Sequence, residues 1–143
     1  MEGEGENLDQ SSRVQAVVDY YGPTNIAKMC DFPSDMDHAS PDAPEAKLLG
    51  GPVKTLPEAV RSADPITYVS PNNPPFLIVH GDADRVVPYN QSEILFDALK
   101  KAGVDVELVT VQGGGHGGWS DRTQPTDQEV LEKVKKFFDR VLK

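Results

Sequence analysis

One short run limits the fold more than any other feature of this 143-residue chain. Phe76-Leu77-Ile78-Val79 follows Pro74-Pro75 and is apolar without alternation. Such a run reads as a strand covered on both faces, as in parallel sheets flanked by helices. Helical patterns come next. Asn90 opens a segment with Glu93 three residues on, an apolar stripe of Ile94, Leu95, Ala98, Leu99 and Ala102, and Gly103 as its stop. Residues 106–111 then read as another strand. Thr126 and Glu129 make a capping box for a last helix, with Val130, Leu131, Val134, Phe137, Phe138, Val141 and Leu142 facing inward. Upstream, 14–18 (Val-Gln-Ala-Val-Val) is a short apolar strand that ends at a Tyr20-Tyr21-Gly22-Pro23 turn. Strands alternating with helices predict an α/β chain with about three parallel strands.

The remaining segments are polar. Residues 1–13 read as an acidic tail or entry segment. Residues 24–63 form a proline- and glycine-punctuated excursion, with short helices over 45–49 and 56–63. The net charge is −9, and it is concentrated: 1–12 carries −4, 31–45 carries −5, and the rest balances. No basic stripe is present, so nucleic acid is not an expected partner. No apolar run approaches the ~18 residues of a membrane span. The single cysteine, Cys30, excludes a disulfide scaffold. No signal peptide is visible, and a cytoplasmic location is favoured.

Chemistry in parallel α/β folds gathers at the carboxyl ends of strands. Two segments stand there: His80-Gly81-Asp82-Ala83-Asp84-Arg85-Val86-Val87-Pro88, and Gly113-Gly114-Gly115-His116-Gly117-Gly118-Trp119. Neighbouring strands would bring Asp84 to His116. A carboxylate that accepts from one imidazole nitrogen fixes the tautomer and frees the other nitrogen to act as a base. Taken singly, Asp84 could be a turn former or cap, and His116 a loop histidine. Trp119 could wall a substrate pocket or merely pack on the loop. His80, Asp82 and Asp84 alternate as metal ligands might, but alternation along a turn does not ensure convergence. Neither metal nor cofactor is expected.

The stretches 14–24 and 63–84, with Val86-Val87-Pro88 and 113–118, resemble the C-terminal half of an α/β-hydrolase. The group is the esterase/lipase one, related to carboxylesterases and hormone-sensitive lipases. The resemblance implies that Asp84 is the triad acid and His116 the base. It also implies that the three strands are the sixth to eighth of an eight-stranded sheet, with 24–63 near the site. The group's Gly-x-Ser-x-Gly nucleophile turn does not occur: none of Ser11, Ser12, Ser34, Ser40, Ser62, Ser70, Ser92 and Ser120 has glycine two residues before and after. The group's His-Gly-Gly oxyanion loop, normally far upstream, is missing as well. Cys30 and Ser120 are weak substitutes. The expectation is therefore a fragment of a serine carboxylic-ester hydrolase, inactive alone, whose full-length form takes a small ester. A prolyl-oligopeptidase-type peptidase fragment and a non-catalytic remnant acting through self-association are the alternatives. A bare sheet edge or apolar helix face also predicts a homo-oligomer.

Overall fold

A computed structural model describes residues 5–143. Three strands, β1 (Val17–Tyr20), β2 (Phe76–Gly81) and β3 (Val106–Val111), form one parallel sheet in the order β1-β2-β3. Val17 lies opposite Phe76, and Phe76 opposite Val106. In the central strand β2, residues Leu77 to Gly81 are all buried. Its side chains alternate between two cores. Leu77 and Val79 pack with Val111, Trp119, Val130 and Phe137 on one face. Ile78 packs with Leu95, Leu99 and Val104 on the other. The non-alternating sequence of β2 follows from this double burial, worth ~1.5–3 kcal/mol for each large aliphatic side chain.

Among the described residues four α-helices, α1 (Pro44–Leu49), α2 (Pro57–Ala63), α3 (Asn90–Lys101) and α4 (Asp127–Val141), accompany the sheet, with short 3-10 turns between them. α3 supplies Leu95 and Leu99 to one core, and α4 supplies Val130 and Phe137 to the other. The capping box forms as expected: Thr126 accepts from the Glu129 amide, and the Glu129 carboxylate accepts from the Thr126 amide. Gly103 follows α3 at φ +80°, the left-handed geometry that glycine adopts without cost. Residues 24–63 form a separate small cluster around Ile26, Val53 and Val60.

Several boundaries differ from the sequence reading. The first strand begins at Val17, not Val14, which is 56% exposed. Pairing sets this start: the Val17 amide donates to the Pro75 carbonyl, at the foot of β2. β2 runs on to Gly81, so His80 is a strand residue. Tyr89, not Asn90, stands at the head of α3. Leu131 and Leu142 are more than half exposed. Leu131 sits ~100° around the helix from Val130, outside the Val130–Val134–Phe137–Val141 stripe, and Leu142 lies just past the helix end. In the acidic tail, residues 1–4 lie outside the described residues, and Gly5–Arg13 is exposed without helix or strand. The outer edge of β1 has no strand partner among the described residues, and the expected homo-oligomer rests on that edge.

Ile78 is fully buried between β2 and α3. Ile78→Ala should lower unfolding stability by about 2–5 kcal/mol, measured by urea denaturation.

Candidate active site

The register of β2 and β3 builds the site. His80 lies opposite Thr110 and Gly81 opposite Val111, so both strands end side by side. The two following loops are then stitched together. The Asp82 amide donates to the Val111 carbonyl (3.1 Å) and the Ala83 amide to the Gly114 carbonyl (2.9 Å). The Gly113 amide donates to Asp82 Oδ1 (2.7 Å). Asp82 is thus turned toward Gly113, and His80, Asp82 and Asp84 do not converge on one point. Gly81 makes this seam possible. A Cβ there would meet the Gly114 carbonyl oxygen at 2.1 Å and that of Gly115 at 2.6 Å.

Across the seam His116 Nδ1 donates to Asp84 Oδ2 at 2.8 Å. The Asp84 side chain is fully buried, whereas that of His116 is 34% exposed. Asp84 Oδ1 accepts from the amides of Val86 (2.7 Å) and Val87 (3.0 Å). With its Nδ1 hydrogen committed to the carboxylate, His116 has Nε2 as the nitrogen able to take a proton. The two residues that spacing selected are thus brought together as an acid–base pair.

Sequence reasoning missed the surroundings. Tyr21, directly after β1, holds φ at +44°, unusual for a residue with a large side chain. Gly22 donates its amide to Asp19 Oδ1 and closes that turn. The Tyr21 ring lies 4.3 Å from the His116 ring, centroid to centroid, and restrains the glycine-rich loop. The Tyr-Tyr-Gly-Pro turn at a strand's carboxyl end was the available signal. Trp119 is buried in the α4-side core, and its indole N–H donates to the Gly115 carbonyl (3.0 Å). Its visible task is to anchor the His116 loop.

His80 is the second omission. Its side chain is fully buried, and Nε2 lies 3.2 Å from Asp84 Oδ2 and 3.0 Å from the Val87 carbonyl. Burial lowers its pKa below the ordinary 6.5, with partial compensation from the Val87 carbonyl and Asp84. Burial also raises the pKa of Asp19 and of the Cys30 thiol. A thiol raised in this way is poorly suited to be a nucleophile.

A third constellation, Ser34–His38–Glu45, imitates a triad. His38 Nδ1 is 3.1 Å from Glu45 Oε1, and Nε2 is 3.1 Å from Ser34 Oγ. Yet Nε2 also faces the Val86 carbonyl at 3.0 Å, an oxygen that can only accept. With a hydrogen on Nε2, His38 donates to Val86 and cannot take a proton from Ser34. Ser34 Oγ in turn donates to the Arg85 carbonyl (2.9 Å). The cluster is a clasp between 34–45 and the turn after Asp84, not a hydrolytic centre.

A parallel sheet between helices, with a carboxylate–imidazole pair on adjacent strand ends, is the arrangement expected of an α/β-hydrolase of the esterase/lipase type. The comparisons agree. Residues 1–99 match the family model described as BD-FAE, and the chain belongs to that family. It is 31% identical over 125 residues to esterase LipQ of Mycobacterium tuberculosis, covering 87% of this chain and 29% of that protein. A truncated carbohydrate esterase from gut microbiota is similar at 34% identity and TM-score 0.83, over 97% of this chain and 46% of that one. A structure of esterase 2 from Thermogutta terrifontis, phosphonylated by sarin, is 27% identical at TM-score 0.72, over 98% of this chain and 49% of that one. The chain spans less than half the length of each.

Two outcomes follow from this geometry. Gly81→Ala should push the 114–116 backbone off β2 and break the His116–Asp84 bond. Loss of long-range NOEs between residues 81–84 and 114–116 would show it. The second concerns pH. His80 has a depressed folded-state pKa, so its contribution to stability is present above the unfolded value of 6.5 and is lost as pH falls toward the lowered value. Urea denaturation from about pH 7.5 to about 5 should show stability falling by up to ~1.4 kcal/mol per unit, a slope that His80→Gln removes. The raised carboxyl of Asp19 acts in the opposite sense, nearer the carboxylate range.

Proposed function

We propose that this chain is the acid- and base-bearing part of a serine carboxylic-ester hydrolase. Asp84 is the orienting acid and His116 the general base. In the assembled enzyme His116 Nε2 takes the proton of a serine hydroxyl as its oxygen attacks the ester carbonyl. It then returns that proton to the departing alcohol as the tetrahedral intermediate collapses to the acyl-enzyme. The second half repeats the cycle with water. Asp84 stays ionised throughout, holding Nδ1–H and stabilising the imidazolium. The 2.8 Å bond between His116 Nδ1 and Asp84 Oδ2 carries this reading. The family match supports the hydrolase class.

The nucleophile and the oxyanion donors come from outside these residues, since no serine here sits in Gly-x-Ser-x-Gly. Ser120 has a glycine two residues before it and Arg122 two after, and its hydroxyl accepts from the Arg122 amide. Loss of a triad nucleophile costs about 10⁶ in turnover, and a missing oxyanion donor ~10²–10³ more.

The isolated chain should accordingly show no hydrolysis of p-nitrophenyl acetate above background. Joined behind the N-terminal part of the similar gut carbohydrate esterase, in place of that enzyme's matching segment, it should hydrolyse the ester. That activity should vanish with His116→Ala and fall by ~10⁴ with Asp84→Asn. A carbohydrate ester is the companion substrate, by analogy with that relative's name. Turnover by the isolated chain, or a fusion indifferent to His116→Ala, would overturn the proposal.

A further inference from the structure

His80 is a buried titratable group that the proton transfers of ester cleavage leave unused. Its hydrogen bonds determine its chemical state. Nε2 faces the Val87 carbonyl and Asp84 Oδ2, and both only accept. Nε2 must therefore carry a hydrogen. Nδ1 lies 2.7 Å from Ser92 Oγ, on the first turn of α3, and accepts that hydroxyl's hydrogen. Both ring nitrogens are satisfied by a neutral ring in one tautomer, and the buried setting favours the neutral form.

The oxygen that His80 touches is the one that receives His116. A hydrogen bond donated to a carboxylate favours its ionised form and makes it a weaker base. A weaker base is a weaker acceptor for the next donor. We propose that His80, held by Ser92, is a positioning residue for the Asp84–His116 pair: it donates from Nε2 to Asp84 Oδ2, aims the carboxylate, and moderates how strongly that oxygen polarises His116. The relay runs Ser92 Oγ–H to His80 Nδ1, His80 Nε2–H to Asp84 Oδ2, and His116 Nδ1–H to the same oxygen. The other titratable groups around His80 are Asp19, acting through its charge, and the rings of Tyr21 and Tyr89 at 6.3 and 5.6 Å. None of these is given a hydrogen by His80. The proposal's relevance to catalysis rests on the esterase reading, but the relay itself belongs to this chain.

A histidine that merely filled the core would leave His116 unaffected when replaced by an apolar residue. The test is ring ¹⁵N NMR on the labelled full chain, read through the carbon-bound ring protons. His80 should be neutral and Nε2-protonated at about pH 8 and remain so at pH 6.5, its ordinary pKa, the tautomer being measured directly and not inferred. In His80→Leu the Nδ1 resonance of His116 should move downfield as its bond to Asp84 strengthens. In His80→Gln, whose amide can donate from near the Nε2 position, it should return to the wild-type value. Ser92→Ala, a gentler change, should move it in the same direction by a smaller amount. A charged or Nδ1-protonated His80 in the wild type would overturn the relay. So would an unmoved His116 resonance in folded His80→Leu, or in Ser92→Ala if the leucine variant does not fold. The fusion assay remains separate. Turnover without the relay signature sinks only the relay, and the signature without turnover sinks only the esterase reading.

Discussion

The Asp84 carboxylate is the point on which the site is built. It is fully buried, and its charge is tolerable there because four donors surround it: two backbone amides of its own turn on Oδ1, and the imidazoles of His80 and His116 on Oδ2. A buried ion without such partners would cost several kcal/mol. Each partner comes from a different part of the architecture. The amides belong to the turn after β2, His80 to β2 itself, and His116 to the loop after β3. The charge therefore couples the turn, the central strand and the neighbouring loop. Removal of any one donor leaves the others to compensate inside a region closed to water.

Much of this was legible in the sequence because the relevant signals are local. The apolar run of β2, the capping box at Thr126 and the αL glycine at 103 each name an element through its own residues. Asp84 and His116 were legible for another reason: in a parallel sheet, strand ends fall on one edge whatever lies between them. His80 was not legible in its present role. That role depends on β2 continuing two residues beyond Val79, and on α3 placing Ser92 against the imidazole. Spacing along the chain encodes neither distance. Tyr21 escaped for a similar reason, since its ring meets His116 only through a backbone angle that tyrosine rarely adopts. At Val14 and Leu131 apolar character does not bring burial. Pairing register and helical phase decided otherwise.

The His116 loop shows how a glycine-rich segment can be held in place. Its glycines permit close approach but supply no side-chain anchors. Rigidity is imported by hydrogen bonds to Asp82 and Ala83, by the Trp119 indole beneath it, and by the Tyr21 ring beside it. The backbone at Gly114 shares this tightness, since a Cβ there would meet Val111 and the Trp119 indole nitrogen. The loop is accordingly one layer of a packed stack in which His116 is the outermost member.

The clasp between the excursion and the turn after Asp84 treats its two sides differently. Ser34, Asp35 and His38 grip residues 85 and 86 through main-chain oxygens: the Arg85 carbonyl takes the Ser34 hydroxyl and the Asp35 amide, and the Val86 carbonyl takes His38. Every amino acid offers that same carbonyl. Those carbonyl contacts ask nothing of the side chain at Val86, whereas Ser34 and His38 contribute through side chains that few residues could replace. The carbonyl contacts thus fix the path of the turn without regard to the side chain at Val86, while the Arg85 guanidinium adds an exposed ion pair to Asp35 on the opposite side of the joint.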